Sequence, residues 1–434
     1  MKYYCIGIKG TGMSSLAQIL FDLGNEVSGY DDEKEEKFSE KGLKERNIKI
    51  YNESNHILEK DTIATYSMAF KEDHKERKRI EELGLTIKKY NEVLGDVSKM
   101  FRTISVAGTH GKTTTSSIIK HLLSSTIGCN YFIGAGDGYA RKENEVFVLE
   151  ADEFNKHFLA YTQKYAVITN IEKEHMECYT DLEDIINTFS KFASNTKKEI
   201  IAYGDDENIR KLKTNTKTIY YGLNENNDYI IKNIETRNSG SKFDLYEGNK
   251  LINTFTIPLF SKAMILNATA AIIIALKHNI TSSKIKELLL SFKNAARRFA
   301  EEQIGSNIII DDYAHHPTEI KTTIEAVKEK YKEKRLVIVF VPNTYSRTRD
   351  FKNEFVEVLK LADKTYLTEI DSNRERQEEY PGVCSRVIVE KIPNAEIINV
   401  NTITKLKNEE NAVICFLSCA NTAHLIEAYK NLFK

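Results

Sequence analysis

The sequence predicts an α/β fold of three domains, each built on a largely parallel sheet. Short β-rich apolar runs alternate with helical patterns almost from end to end, the signature of strand–helix–strand units. Strand-then-glycine-turn starts recur at YYCIGI and TISVAG, and a third start appears at NIIIDDY. With 434 residues, the chain also exceeds a single core of about 100–200 residues.

Taken in order, YYCIGI leads through a glycine turn into the amphipathic stretch MSSLAQILFDLG and then the strand NEVSGY, a Rossmann-like beginning. TISVAG opens a second domain, followed by GTHGKTTT, the helix SSIIKHLLSS and two apolar strands, VFVLEA and YAVITNI. From Asp228 to Pro258 the period becomes two, with an NSGS turn, which predicts an antiparallel hairpin insert. Helices around ILNATAAIIIALKH and SKIKELLLSF come next. The third domain starts at NIIIDDY, with a helix from Pro317, a favoured first-turn residue. RLVIVFVP, KTYLTEI and AVICFLS supply the rest of a second Rossmann-like sheet. The expected domains are residues 1–100, 101–298 and 299–434.

Composition narrows the function classes. Apolar residues at 41% and charged residues at 29% describe a soluble globular chain rather than a disordered one. A formal net charge of -1, with both signs mixed along the length, offers no basic face for nucleic acid. The cysteines Cys5, Cys129, Cys178, Cys384, Cys415 and Cys419 form no C-x-x-C pair, so a thiolate zinc site is not expected and reduced buried thiols are. MKYYCIGIKG enters a strand directly without a signal-peptide pattern. The most apolar stretch, ATAAIIIAL, falls short of the roughly 20 residues that span a bilayer. A cytoplasmic chain without membrane partners is the expectation.

The strongest chemical signal is Gly108-Thr109-His110-Gly111-Lys112-Thr113-Thr114 between a predicted strand and helix. Glycines there let backbone N–H groups wrap phosphates at a helix N-terminus. Lys112 would neutralise β and γ phosphates and Thr113 would hold a magnesium ion; an ordinary turn with a surface lysine is the bland alternative. The earlier turn Gly7-Ile8-Lys9-Gly10-Thr11-Gly12 has the order G-x-x-G-x-G. It fits a diphosphate, a redox dinucleotide or a purely structural turn. Asp31 and Asp32 follow the second strand, where a carboxylate commonly meets ribose or base. Glu150 and His175 close successive apolar strands, where ligands of an open α/β sheet gather, and together could coordinate a divalent cation. Asp311-Asp312-Tyr313-Ala314-His315-His316-Pro317 marks another strand-to-helix junction, readable as a nucleotide contact or as helix capping.

These residues together resemble the Mur ligases, along essentially the whole chain. The resemblance rests on GIKGTGMSSLAQIL, AGTHGKTTT, EADE, AVITNIEKEH, LNA, RRF, DDYAHHPTEI and YSRT in that order, and it favours the branch that adds L-alanine to UDP-N-acetylmuramic acid. It implies an N-terminal domain holding the UDP-sugar, a central P-loop ATPase domain, and a C-terminal domain that closes with the amino acid. By family likeness Gly10, Thr11, Gly12, Met13, Ser14 and Asp31 would bind the UDP-sugar. Gly108 to Thr114, Asn267, Asp312 and His316 would serve ATP, and Thr113, Glu150 and His175 the metal, Mg2+ or Mn2+. Lys112, Arg298 and His175 would be catalytic, with Asn343 and Arg347 facing the substrates from the C-terminal domain. The resemblance also leaves two other readings, a ligase that recycles peptides onto the same sugar nucleotide and a non-catalytic relative that only binds it.

The chain departs from the family pattern at several places. Ala263 stands where histidine is usual, Asn343 replaces the histidine of Q-P-H, and Ala300 follows Arg297-Arg298-Phe299. Ser418-Cys419-Ala420-Asn421 replaces G-A-G-D, and Tyr30 stands where serine is usual. Side chains at Ser418 and Ala420 restrict a backbone that glycine leaves free, so an altered turn, and with it an altered rate or amino-acid preference, is expected there.

Overall fold

Strand Lys2–Ile6 is buried over its last four residues because it lies mid-sheet. It pairs in parallel with Glu26–Tyr30 on one side and Thr62–Tyr66 on the other. Lys49–Tyr51 and Thr86–Lys89 complete this five-stranded sheet, also in parallel. The computed structural model describes residues 1–134, 136–237, 240–372 and 375–433. The strand order, first–second–third outward from the centre, is that of a Rossmann half, so the glycine turn opens at the carboxyl ends of the strands.

The second sheet has ten strands. Its centre is Arg102–Ala107, flanked in parallel by Gln163–Ile168 and Val146–Glu150. Thr196–Tyr203 and Thr218–Gly222 extend it in parallel on one side. The predicted hairpin is not a separate insert. Tyr229–Arg237 pairs in parallel with Thr218–Gly222, so the period-two region continues the central sheet with three strands, Tyr229–Arg237, Gly240–Glu247 and Lys250–Ile257. Asn238 and Ser239 of the expected NSGS turn lie outside the described residues.

At the other edge, Asn130–Ile133 and Asp137–Tyr139 form an antiparallel pair that rests on helix Thr11–Asp22. Ser15 Oγ donates to the Ile133 carbonyl at 3.2 Å, and Gln18 Nε2 to that of Gly136 at 3.0 Å. Arg46 Nη2 reaches the Gly138 carbonyl at 3.1 Å, while the Ala140 N–H donates to Asp22 at 3.1 Å. The two N-terminal sheets are thus joined by side-chain-to-backbone bonds as well as by apolar packing.

The third sheet has six strands. Asn307–Asp312, Ala412–Leu417, Arg335–Phe340, Lys364–Leu367 and Ala395–Ile397 run in parallel. Ala300–Ile304 adds an antiparallel edge strand. Its sequence, AEEQI, is exposed along most of its length, so it shows no alternation by which sequence could find it. Compactness divides the chain into two units: Met1–Ile234 with Lys242–Ile257 and Leu266–Phe292, and Glu235–Ser241 with Pro258–Ile265 and Lys293–Lys434. The first two sheets fall largely in the first unit. Among the described residues, no helix is long and apolar enough to cross a membrane.

Candidate active site

In the first unit, strand Arg102–Ala107 ends at the turn Gly108–Gly111, and helix Lys112–Ser124 begins immediately after it. Two positions of the turn require glycine. Gly108 has φ +136°, and a β-carbon there would lie 2.1 Å from Thr169 Oγ1. Gly111 has φ +82°, and a β-carbon there would lie 2.6 Å from Asn267 Oδ1. Left-handed backbone and close approach both exclude larger residues.

Neighbouring side chains hold the turn. The His110 N–H donates to Asn170 Oδ1 at 2.8 Å, and the His110 carbonyl accepts from Thr169 Oγ1 at 2.6 Å and Asn170 Nδ2 at 3.0 Å. Thr109 Oγ1 accepts the Glu172 N–H at 2.9 Å. Thr169 and Asn170 therefore shape the phosphate loop from the next strand end. Sequence reading passed over this role, although their place at a strand's carboxyl end was the available signal.

Lys112 Nζ donates to the carbonyls of Gly108 at 2.6 Å and Thr109 at 3.1 Å, and pairs with Glu153 at 2.9 Å. Burial opposes its charge, but the carboxylates of Glu153 and Asp152 outweigh burial and hold its pKa above the ordinary lysine value. Thr113 Oγ1 donates to Glu150 Oε1 at 2.9 Å, and the other Glu150 oxygen accepts the Gly134 N–H at 2.9 Å. His175, at φ +56°, joins a different pair of carboxylates. Its ring nitrogen and one oxygen each of Asp152 and Glu153 lie within 4.8 Å of one another. Burial lowers the His175 pKa, yet Glu177, Glu153, Glu174 and Asp152 raise it overall. The predicted trio Thr113, Glu150 and His175 is therefore split into a Thr113–Glu150 contact and an Asp152–Glu153–His175 group, both beside the phosphate loop. Hard oxygens and one imidazole around a phosphate loop suit a divalent cation.

The other glycine turn keeps its backbone available and spends its side chains. Helix Thr11–Asp22 starts after Gly10 with no side-chain cap, which leaves first-turn N–H groups for an anion. Met13 is packed in the core, and Ser14 Oγ donates to the Ser39 carbonyl at 2.6 Å. Asp31 is 5% exposed; its two oxygens accept the N–H groups of Lys9 at 2.8 Å and Glu33 at 3.1 Å. These three side chains build the turn rather than present themselves to a ligand.

In the second unit, Asp312 accepts N–H bonds from Phe299 at 2.6 Å and Ala314 at 2.8 Å. Burial raises its pKa, against the opposing pull of Arg298. His316 caps helix Pro317–Lys330, accepting the Thr318 N–H at 3.3 Å. The capping alternative thus describes its geometry. The Arg298 guanidinium lies 4.8 Å from the Tyr313 ring centre. Asn343 Nδ2 donates to the Asp371 carbonyl at 3.1 Å, and Arg347 reaches Thr344 Oγ1 at 3.4 Å. The turn that departs from the family pattern is well tied: Ser418 Oγ donates to the Val341 carbonyl at 2.7 Å and accepts the Ala420 N–H at 2.9 Å. None of residues 418–421 has positive φ.

A phosphate loop with a half-buried lysine, hard-oxygen groups at adjacent strand ends and a second glycine turn suit ATP, a divalent cation and a second phosphorylated substrate, as an ATP-dependent ligase requires. The chain belongs to the Mur ligase family. The family's catalytic, middle and glutamate ligase domains match residues 2–102, 106–275 and 297–419. The UDP-N-acetylmuramate–L-alanine ligase of Lacticaseibacillus casei (strain BL23) is 39% identical, over 99% of this chain and 98% of its own. That of Lactiplantibacillus plantarum (strain ATCC BAA-793 / NCIMB 8826 / WCFS1) is 39% identical over 100% and 99%. Among solved structures, the UDP-N-acetylmuramate–alanine ligase of Thermotoga maritima matches with a TM-score of 0.82 at 23% identity, covering 100% of this chain and 99% of that one. A murein peptide ligase from Psychrobacter arcticus matches at 0.72 and 20%, covering 99% of each. These two matches establish the shared fold.

Proposed function

We propose that this enzyme joins L-alanine to the lactyl carboxylate of UDP-N-acetylmuramic acid at the expense of ATP, in the cytoplasmic synthesis of peptidoglycan precursors. The observation that carries the reading is whole-length similarity to L-alanine ligases together with a complete phosphate loop around Lys112. The carboxylate attacks the γ-phosphorus in line, ADP leaves, and an acyl phosphate forms. The uncharged amine of alanine then attacks the acyl carbon, inorganic phosphate leaves, and the amine gives up a proton.

Both partners of the first step are anions, so positive charge must be concentrated where they meet. Lys112 supplies it from the phosphate loop, and Arg298, at the end of the central domain, is assigned the same task. Thr113 and Glu150, with His175 beside Asp152 and Glu153 as a separate group, would hold magnesium or manganese, which would add charge neutralisation at the phosphoryl oxygens. The Gly10–Gly12 turn is assigned the UDP diphosphate, Asn267 and His316 the adenine side, and Asp312 a further ATP contact. Arg347 and Asn343 are assigned to the substrates from the C-terminal domain. We assign these tasks to three domains divided near residues 100 and 298.

Phosphate release from ATP, measured with and without UDP-N-acetylmuramic acid and L-alanine, tests the reading. Release that needs both substrates is expected. Release only when a tripeptide replaces alanine would move the enzyme to peptide recycling, and no release with any amine, despite sugar-nucleotide binding, would make it a non-catalytic relative.

A further inference from the structure

Beyond strand Val146–Glu150 the chain reverses through Asn155 at φ +50° and Lys156 at φ +60°. Two consecutive non-glycine residues in the left-handed region cost about 1–3 kcal/mol each, and such strain collects at functional sites. What this reversal delivers is His157, 6% exposed. Its Nδ1 lies 3.3 Å from the Tyr90 hydroxyl, with the rings edge to face at 5.1 Å. Burial holds the imidazole below its ordinary pKa, against the pull of Asp152, which favours the neutral ring. When the Tyr90 hydroxyl donates to Nδ1, the hydrogen of the neutral ring resides on Nε2. Among the described residues Nε2 has no hydrogen-bond partner. Nε2 is open to solvent rather than sealed in the core, so an acceptor arriving from solution can reach it.

The location says which acceptor. A β-carbon on Gly12 would lie 3.7 Å from the Tyr90 ring, so the pair adjoins the turn suited to the diphosphate. On its other side Phe154 packs edge-on against both His157, at 6.2 Å, and His175, at 5.0 Å. The dyad therefore lies between the diphosphate turn and the Asp152–Glu153–His175 group beside Lys112. A sugar acid anchored by its diphosphate and presenting its carboxylate to ATP must cross this interval. We infer that His157, oriented by Tyr90, contacts that carboxylate, its Nε2–H holding one oxygen while the other attacks phosphorus. The inference rests on the ligase reading above. Pinning one oxygen fixes the direction of the nucleophile, which is how positioning lowers a barrier. Tyr90 is a positioning residue, acting through the tautomer of His157.

Affinities of the purified enzyme for UDP-N-acetylmuramic acid, UDP-N-acetylglucosamine (the same sugar nucleotide without the lactyl carboxylate) and UDP test it. His157→Ala is expected to weaken the acid about tenfold, the size of one hydrogen bond to a charged group, and to leave the other two and the KM for ATP unchanged. His157→Gln, which retains a donor, should recover part of the loss, and Tyr90→Phe should show a smaller loss confined to the acid. Equal weakening of all three ligands, or no change, overturns the assignment. Unchanged UDP affinity also certifies that each variant is folded. A wild-type enzyme that neither prefers the acid nor turns it over defeats the ligase reading and this inference with it. A wild-type enzyme that turns over normally, alongside an indifferent His157→Ala, defeats the inference alone.

Discussion

The phosphate loop of the first unit and the strand-to-helix junction of the second solve similar problems with different materials. Around Gly108–Gly111 the backbone carries the ligand-facing groups, and left-handed positions are filled by glycine. Side chains from the next strand end, Thr169 and Asn170, hold the loop open. Around Arg297–His316 the left-handed positions are filled by Arg297, at φ +56°, and Phe299, at φ +55°. There the polar side chains Asp312 and His316 bind the junction's own N–H groups. One region is a pre-shaped backbone cradle, and the other is a side-chain scaffold. Substitutions in the first should therefore abolish chemistry, while those in the second should first cost stability.

Lys112→Ala should produce the largest effect, lowering kcat by about 10³-fold or more, as expected for loss of a charge at a transferring phosphoryl group. Phosphate release reads it directly, and residual activity within tenfold of wild type would break the contrast. Glu153→Gln comes next. It removes the carboxylate that bonds the half-buried Lys112, leaving Asp152 nearby, and breaking such a pair costs up to about 3–5 kcal/mol. Urea denaturation measures that cost. Ser418→Gly restores the family's glycine, yet it removes the hydroxyl that bonds Val341 and Ala420. We expect a loss of about 1–2 kcal/mol in stability with kcat nearly unchanged. A gain in kcat without destabilisation would mean the turn serves catalysis and not only folding.

The smallest effect concerns Glu396, whose pKa falls to about 2 because Lys364 and Lys405 both bond it. A folded-state pKa below the unfolded one stabilises the fold above the unfolded value, and that gain is lost as pH falls toward 2. Half-exposed, this ion pair should contribute under about 1 kcal/mol at pH 7. Unfolding curves of Glu396→Gln and wild type should differ at pH 7 and coincide near pH 2.

The same contrast explains what could be read from sequence. The phosphate loop was legible because glycine placement between a strand and a helix encodes backbone geometry within seven consecutive residues. Glu150 and His175 were legible as strand ends, but their partition was not. Whether His175 faces Glu150 or the Asp152–Glu153 pair depends on a left-handed residue at His175 itself, which no local pattern announces. Asp31, Met13 and Ser14 carried the motif, while their side chains serve the turn's construction; a motif records position and not direction. Tyr90 and His157 are 67 residues apart and meet only through tertiary packing. The edge strand Ala300–Ile304 was illegible for a simpler reason, since four of its five residues face solvent.

The seam between helix Thr11–Asp22 and the hairpin Asn130–Tyr139 bears on how the chain is made. Ser15, Gln18, Asp22 and Arg46 all find partners in a segment synthesised some hundred residues later. During translation the first sheet can form its hydrogen bonds as soon as Thr86–Lys89 has emerged, but this flank of its first helix stays uncovered until the hairpin follows. A fragment ending near residue 100 would keep that flank exposed for good, making it a client for chaperones rather than a free-standing nucleotide-binding module.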